Sequence, residues 1–141
     1  VQQLRRPEGG FAERADQTVA QTNATAAALA VLTMAGELES DCATSAARFL
    51  VAMQTLEDGG VRAHPSAPEG DLLSSFTAFL ALIGLAAVGP VDLAGLARFA
   101  RTCARPEGGF SSCPRDAVPD VEYTYYGLGT LALLRAMLPA S

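Results

Sequence analysis

The 141-residue sequence lacks tryptophan and lysine altogether, and it has a single histidine and three cysteines. Cysteines that are odd in number and form no Cys-x-x-Cys pair argue against a disulfide framework and a zinc knuckle, and they favour reduced thiols in the cytoplasm. The basic side chains are ten scattered arginines, outnumbered by fifteen carboxylates, which gives a net charge of −5. This balance leaves no basic stripe and argues against nucleic acid as a partner. The polar N-terminus shows no signal-peptide pattern.

A long hydrophobic run is also missing. The longest apolar stretch, Phe76 to Val91, is interrupted by two glycines and a proline and is too short to cross a bilayer. Half of the residues are nevertheless apolar, and only 18% are charged. No membrane span is therefore expected, and the excess hydrophobicity indicates helices buried on most sides of a single domain covering residues 1–141.

Internal repetition is the main feature that the sequence does have. The hexapeptide Arg6–Phe11 recurs identically as Arg105–Phe110, and Leu56–Val61 is a degenerate copy between them. The Gly-Gly pairs of these copies are spaced by 50 and 49 residues, which is the length of two helices with their turns. The pattern predicts three helix-hairpin repeats. Their approximate ranges are 1–36, 37–89 and 90–141.

Aligning the repeats on the residue after each Gly-Gly pair brings further columns into register. The residues ten positions after this reference residue are Gln21, Asp71 and Asp120. Those fourteen positions after it are Thr25, Ser75 and Thr124. Apolar columns follow at offsets 17, 18 and 21, the spacing of one packed helix face. The paired glycines themselves suit a reversal of the chain that needs a positive φ.

Each repeat is therefore predicted to contain, in this order, an outer helix, a Gly-Gly turn, a polar loop and an inner helix. The inner helices are nearly all apolar after their first turn, which requires burial, whereas the outer helices keep a polar face. The predicted inner helices run from about Thr22 to Ala35, from about Leu72 to Val88 and from about Val121 to Met137. The predicted outer helices are Cys42–Gln54, capped by Ser40 or Asp41, and Leu93–Ala104, capped by Asp92.

The Gly-Gly-Phe turn, followed by a loop and by Asp-x-x-(Tyr or Ser)-(Thr or Ser) at the start of an apolar helix, resembles the prenyltransferase and squalene-cyclase repeat family. The resemblance covers essentially the whole chain. It implies an all-α fold, an α/α toroid, of which three repeats would make half a ring. The second half would come from another chain, from an identical copy by twofold symmetry, or from an N-terminal segment absent from this sequence.

The third repeat is similar to the segment of protein prenyltransferase β subunits in which an Asp and a Cys two positions later bind the catalytic zinc. Asp120 matches the Asp, but Glu122 stands at the Cys position and the later His has no counterpart. The only histidine, His64, lies in a loop where a solvated side chain is expected. The mismatch argues against zinc, and no metal ligand is predicted. The cofactor stays open, with Mg²⁺ expected if a diphosphate binds.

Polar residues at the start of the inner helices are expected to gather at one mouth of an apolar cavity. The predicted catalytic residues are Asp120, Glu122, Tyr123 and Tyr126, and the predicted substrate contacts are Gln21, Asn23, Asp71, Phe76, Phe79 and Tyr125. A carboxylate held against aromatic rings in a dry site has a raised pKa and can donate a proton, and aromatic faces stabilise a carbocation. The alternative is that the aspartates cap helices and the aromatic rings fill core.

These observations favour an enzyme that binds an isoprenoid-like, hydrophobic small molecule and catalyses prenyl transfer or a terpenoid-type cyclisation. A non-catalytic binding or assembly module on the same scaffold is the alternative, as is another cyclisation in the same pocket, since a fold does not fix a function.

Overall fold

The computed structural model describes residues 1–137, and helices account for all of the regular secondary structure there. A short 3-10 turn, Gln2–Leu4, precedes five α-helices. These are α1 (Thr22–Ala35), α2 (Ser40–Ala52), α3 (Leu72–Gly84), α4 (Leu93–Thr102) and α5 (Val121–Met137). Only isolated β-bridges link extended residues within this part of the chain. The all-α prediction is therefore confirmed.

The helices pack in two layers. The three inner helices lie side by side, with α3 packed between α1 and α5, while α2 packs on α1 and α3 and α4 packs on α5. Apolar side chains fill the space between the layers. In the largest core cluster, Phe49 and Leu50 of α2 meet Leu29 of α1 and Leu82 of α3. No helix in residues 1–137 combines the length and the apolar character that spanning a bilayer requires.

The turn between the layers has the same hydrogen bonding in each repeat. The residue after the Gly-Gly pair forms two isolated β-bridges. One is with a residue of the segment that leaves the outer helix, and the other is with the residue that precedes the inner helix. Its N–H donates to a hydroxyl in the first turn of that helix. These bonds are Phe11 to Thr25 (2.8 Å), Val61 to Ser75 (2.9 Å) and Phe110 to Thr124 (3.0 Å). The hydroxyl column at offset fourteen therefore closes the turn, because it satisfies an N–H that would otherwise be buried without an acceptor.

The first glycine of each pair has a positive φ, and in the first two repeats it also lies where a Cβ has no room. Gly9, Gly59 and Gly108 have φ values of 98°, 82° and 106°, which favour a residue without a Cβ. A Cβ on Gly9 would lie 2.6 Å from the carbonyl oxygen of Ser45, and one on Gly59 would lie 2.4 Å from that of Gly95. The next outer helix thus approaches the turn at backbone distance.

Several predicted helix ends are corrected. Helix α2 begins at Ser40 after Glu39, whose backbone is extended, so neither Ser40 nor Asp41 is the cap. Helix α3 ends at Gly84, four residues before the predicted Val88, because Ala86 adopts a left-handed φ of 53°. Helices α2 and α4 each end two residues early, at Ala52 and Thr102.

The remaining helix boundaries agree with the sequence patterns. Asp92 caps α4 as predicted, since its carboxylate accepts a hydrogen bond from the N–H of Gly95 at 2.9 Å. Helix α1 begins and ends at the predicted residues, and Gly36 terminates it in the left-handed conformation. Helix α5 runs from Val121 to the last described residue, Met137.

Candidate functional site

An apolar groove of about 580 Å³ runs between the inner helices α1 and α3. Small side chains of α1, including Ala27 and Ala30, form one wall, and Leu80 and Ala81 of α3 form the other. Met34 lies along the same groove and is 80% exposed. A groove of this size with almost entirely apolar walls is suited to a hydrocarbon chain.

The polar side chains that line the groove are Asn23 in the first turn of α1, Thr33 near the end of α1, and Thr77 in the middle of α3. The Thr77 hydroxyl donates to the side-chain oxygen of Asn23 at 2.6 Å and so links α1 to α3. Gln21 directly precedes α1 and is half-buried, and its side chain makes no capping hydrogen bond. Of the predicted substrate contacts, Asn23 therefore lines the groove, and Gln21 lies one residue before the helix that forms it.

Asp71 is engaged as the cap of α3. One carboxylate oxygen accepts the N–H of Ser74 and the other accepts the Ser74 hydroxyl, both at 2.8 Å. Burial raises the pKa of Asp71, although these hydrogen bonds act in the opposite direction. The carboxylate is thus held by its own helix, as the capping alternative expected.

Asp120 caps α5 in a similar way, because its carboxylate accepts the N–H of Tyr123 at 2.7 Å. Unlike Asp71, Asp120 is exposed, and so is Glu122 in the next turn. The dry surroundings proposed for Glu122 are therefore not provided by residues 1–137 alone.

An aromatic cluster joins α3 to α5, and it contains four of the residues that the sequence analysis singled out for the site. The ring of Phe76 lies 5.4 Å from that of Tyr125, edge-on, and 5.6 Å from that of Tyr126. Tyr123 packs edge-on against Tyr126 at 6.1 Å. Burial raises the pKa of Tyr123, and the nearby charge of Asp71 adds to this effect. The three tyrosines therefore form one surface with Phe76 and are not scattered around the core.

Phe79 is a core residue rather than a substrate contact. Its side chain is 1% exposed and packs with Leu96 of α4 and Leu134 of α5. The helix turns Phe79 away from the groove, whose α3 wall is formed by Thr77, Leu80 and Ala81.

The groove walls themselves were not singled out from the sequence. Ala27, Ala30 and Met34 recur at helical spacing, and this is the signal that could have identified them. Periodicity alone does not distinguish them from core residues, because it marks a helix face without indicating whether another helix covers that face.

The donor set does not fit a zinc centre. Within residues 1–137 no three His, Cys, Asp or Glu side chains cluster closely enough to hold a metal ion. Asp120 is used as a helix cap, Glu122 stands where a thiolate would be needed, and the Nδ1 of His64 contacts the hydroxyl of Ser66. Cys103 is fully buried, and this burial raises its pKa to about 12, so its thiol stays protonated.

Comparison with known proteins places this geometry in a family. The sequence profile described as "Prenyltransferase alpha-alpha toroid domain" matches residues 1–140. Among solved structures, the fold is similar to that of Candida albicans protein geranylgeranyltransferase-I complexed with GGPP, with a TM-score of 0.83 and 19% sequence identity. That match covers 96% of this chain and 42% of the other, so this chain spans less than half of its length. No curated protein sequence matches significantly.

The two-layer arrangement, the recurring Gly-Gly turns and the profile match agree with one another across the described residues. The part-ring predicted from the repeats is thereby confirmed as the fold class. The chain belongs to the prenyltransferase α/α-toroid family.

Proposed function

We propose that this chain forms part of an α-barrel that binds an isoprenoid-like chain, and that the barrel's reaction class is prenyl transfer. The groove between α1 and α3 is the observation that carries the proposal. Its walls are apolar apart from three polar side chains, Asn23, Thr33 and Thr77, and the first and last of these are hydrogen-bonded to each other. Mostly apolar walls with a few polar groups suit a ligand that is largely hydrocarbon. The GGPP complex of the structurally similar transferase supports the same ligand class.

The aromatic cluster lies between α3 and the next inner helix, α5. Ring faces attract a cationic carbon through their quadrupole, an interaction of about 0.5–2 kcal/mol. Tyr123 and Tyr126 are therefore proposed to stabilise positive charge that develops when the carbon–oxygen bond of a prenyl diphosphate lengthens. Asp120 and Glu122 are the proposed acid or base groups beside them. Terpenoid-type cyclisation would use the same cationic chemistry and is the alternative reaction.

A partner that supplies the rest of the barrel is part of the proposal, since this chain covers 42% of the matched transferase chain. Enclosure of the groove would exclude water and would change the surroundings of Glu122, which is exposed in this part-ring.

A non-catalytic binding module is the second candidate. It is favoured by the carboxylates of Asp71 and Asp120, both of which are committed to helix caps. Under this alternative the groove would bind an isoprenoid without turnover.

Isothermal titration with geranylgeranyl diphosphate tests the binding step, with inorganic diphosphate as a separate titrant. Ala30→Phe places a ring in the groove and is expected to weaken binding about tenfold or more, the loss of roughly 1.4 kcal/mol. Ala94→Phe makes the same change on the exposed face of α4 and is the matched control. Equal affinity of both variants and the parent chain would contradict the proposed groove.

Turnover is tested separately, by mass spectrometry of the prenyl product and by release of diphosphate. Glu122→Gln and Asp120→Asn are expected to lower the rate without weakening binding, because neither residue lines the groove. Binding without release of diphosphate, in an assembled barrel, would favour the non-catalytic module.

A further inference from the structure

A second groove, of about 530 Å³, lies between the outer helix α2 and the segment that joins α3 to α4. This volume is within the range of about 300–1,000 Å³ that small-molecule sites occupy. It is termed here the outer groove, to distinguish it from the groove between α1 and α3. Its apolar walls include Ala43, Ala47 and Val51 on one side and Leu85, Ala87 and Pro90 on the other.

The walls of the outer groove rest on the largest core cluster. Ala47 and Val51 of α2 are half-buried and pack against that cluster, and so are Leu85 and Ala87 beyond the end of α3. A backbone hydrogen bond fixes the turn at the end of α3, since the N–H of Ala87 donates to the carbonyl of Leu82 at 2.9 Å. The groove is therefore held in shape by the fold, and the small side chains of α2 leave it open.

Two polar side chains also line the outer groove, and both have unused hydrogen-bonding capacity. Arg48 is exposed, and no carboxylate within residues 1–137 forms a salt bridge with it. The hydroxyls of Thr25 and Thr124 donate to the carbonyl four residues earlier in the chain. The hydroxyl of Thr44 makes no such bond in the described part of the chain, so it is available to a ligand.

The positions of these two groups suit a single anionic head. Arg48 follows Thr44 by four residues, so both side chains lie on the same face of α2. A guanidinium presents paired N–H donors that match the two oxygens of a carboxylate, and the threonine hydroxyl adds a further donor. Within residues 1–137, Arg48 is the only charged side chain that lines the groove. One positive charge beside apolar walls is complementary to a ligand with one negative charge and a hydrocarbon chain.

We propose that the outer groove binds a long-chain alkyl carboxylate, such as a fatty acid. The alkyl chain lies between Ala47 and Val51 on one side and Leu85 on the other, and Arg48 with Thr44 binds the carboxylate. An extended peptide fits less well, because apolar walls offer no partners for its backbone N–H and carbonyl groups. The proposal does not rest on the proposed prenyl binding, although Leu85 lies in the wall of both grooves.

Isothermal titration with sodium octanoate and sodium decanoate, both below their micelle concentrations, tests the alkyl chain. Decanoate is expected to bind about tenfold more tightly, because each buried CH₂ group strengthens binding about fourfold. 1-Decanol has the same chain length as decanoate without the charge. It is expected to bind about tenfold more weakly than decanoate, because it loses the charge-assisted hydrogen bonds of Arg48.

Variants test the location of the site. Arg48→Gln is expected to weaken decanoate binding about tenfold, and Arg101→Gln removes another exposed arginine, on α4, as the matched control. Ala47→Phe fills the outer groove and is expected to abolish binding, with circular dichroism as the check that the fold is retained. Ala30→Phe fills the groove between α1 and α3 instead and is expected to leave decanoate binding unchanged.

Absence of decanoate binding would overturn the proposal, and so would equal affinity for octanoate and decanoate or for decanoate and decanol. Equal effects of Arg48→Gln and Arg101→Gln would also overturn it. Loss of binding in Ala30→Phe would place the ligand in the other groove. A dimer in light scattering that Ala47→Phe dissociates would show that a second copy occupies the outer groove. Each of these last two results overturns the proposal, while titration with geranylgeranyl diphosphate reports on the prenyl groove separately.

Discussion

The hydroxyl that closes each Gly-Gly turn can be removed without changing side-chain shape. Thr25→Val deletes the acceptor of the Phe11 N–H, and both residues are 0% exposed, so water cannot replace the lost oxygen. A buried donor left without an acceptor costs about 1–3 kcal/mol. We therefore expect Thr25→Val to lower the free energy of unfolding by about 2 kcal/mol.

Two further threonines provide matched comparisons. Thr124 makes the same bond to Phe110 but is only half-buried, so water can hydrate the freed N–H and Thr124→Val should cost less, about 1 kcal/mol or below. Thr130 is 0% exposed, and its hydroxyl has no hydrogen-bond partner in residues 1–137. Thr130→Val removes a buried hydroxyl without breaking a bond, and we expect it to be neutral or to stabilise by about 1 kcal/mol.

Urea unfolding followed by circular dichroism measures all three variants. The free energies are comparable only where the denaturant dependence, the m-value, equals that of the parent chain. A loss below about 0.5 kcal/mol for Thr25→Val would refute the assigned role of the hydroxyl. An equal loss for Thr25→Val and Thr130→Val would show that any Thr→Val change in this core has that cost.

The other predictions concern Ala86 after the end of α3, the thiol of Cys103 and the carboxyl group of Asp71, which caps α3. Ala86→Gly should raise the free energy of unfolding by about 0.5–1 kcal/mol in urea, because Ala86 adopts a left-handed φ that strains a side chain with a Cβ. Iodoacetamide at pH 8 should modify Cys113 in the folded chain and spare Cys103, whose pKa of about 12 keeps it protonated; modification of Cys103 at the same rate would contradict this. Because burial raises the pKa of Asp71, the folded state retains its proton to higher pH, so this group's contribution to stability falls as pH rises through the acidic range. Asp71→Asn should flatten that part of the stability curve, and an unchanged curve would count against the shift.

The repeats and most of the fold could be predicted from local patterns. The observed bounds of α1 agree with the predicted ones, and Gly36 ends this helix in the left-handed conformation; Asp92 was predicted as the cap of α4 and is the cap. The end of α3 could not be predicted, because Ala86 takes a conformation that sequence patterns assign to glycine. A local sequence signal predicts the end of a helix only where the residue type is one that favours the backbone conformation found there.

The sequence analysis singled out Phe76 and the three tyrosines as site residues, but it did not place them in one cluster. Their contact depends on the packing of α3 against α5, which the tertiary structure provides. Phe76 lies in the aromatic cluster, whereas Phe79 lies in the core. The sequence could not predict this difference, since both are apolar residues of one helix, three positions apart. The participation of Glu122 in catalysis remains a prediction.

The sequence by itself determined the repeated unit, the helical layers and the glycine turns, because these depend on spacing and on the conformations that a residue permits. Only the tertiary structure decided which apolar faces are covered. Phe79 and Leu128 occupy the same column of the repeat, yet one is 1% exposed and the other 57%. The physical reason is that burial depends on the neighbour packed against a face, and Phe79 has α4 and α5 beside it, whereas the corresponding side of α5 is open in residues 1–137.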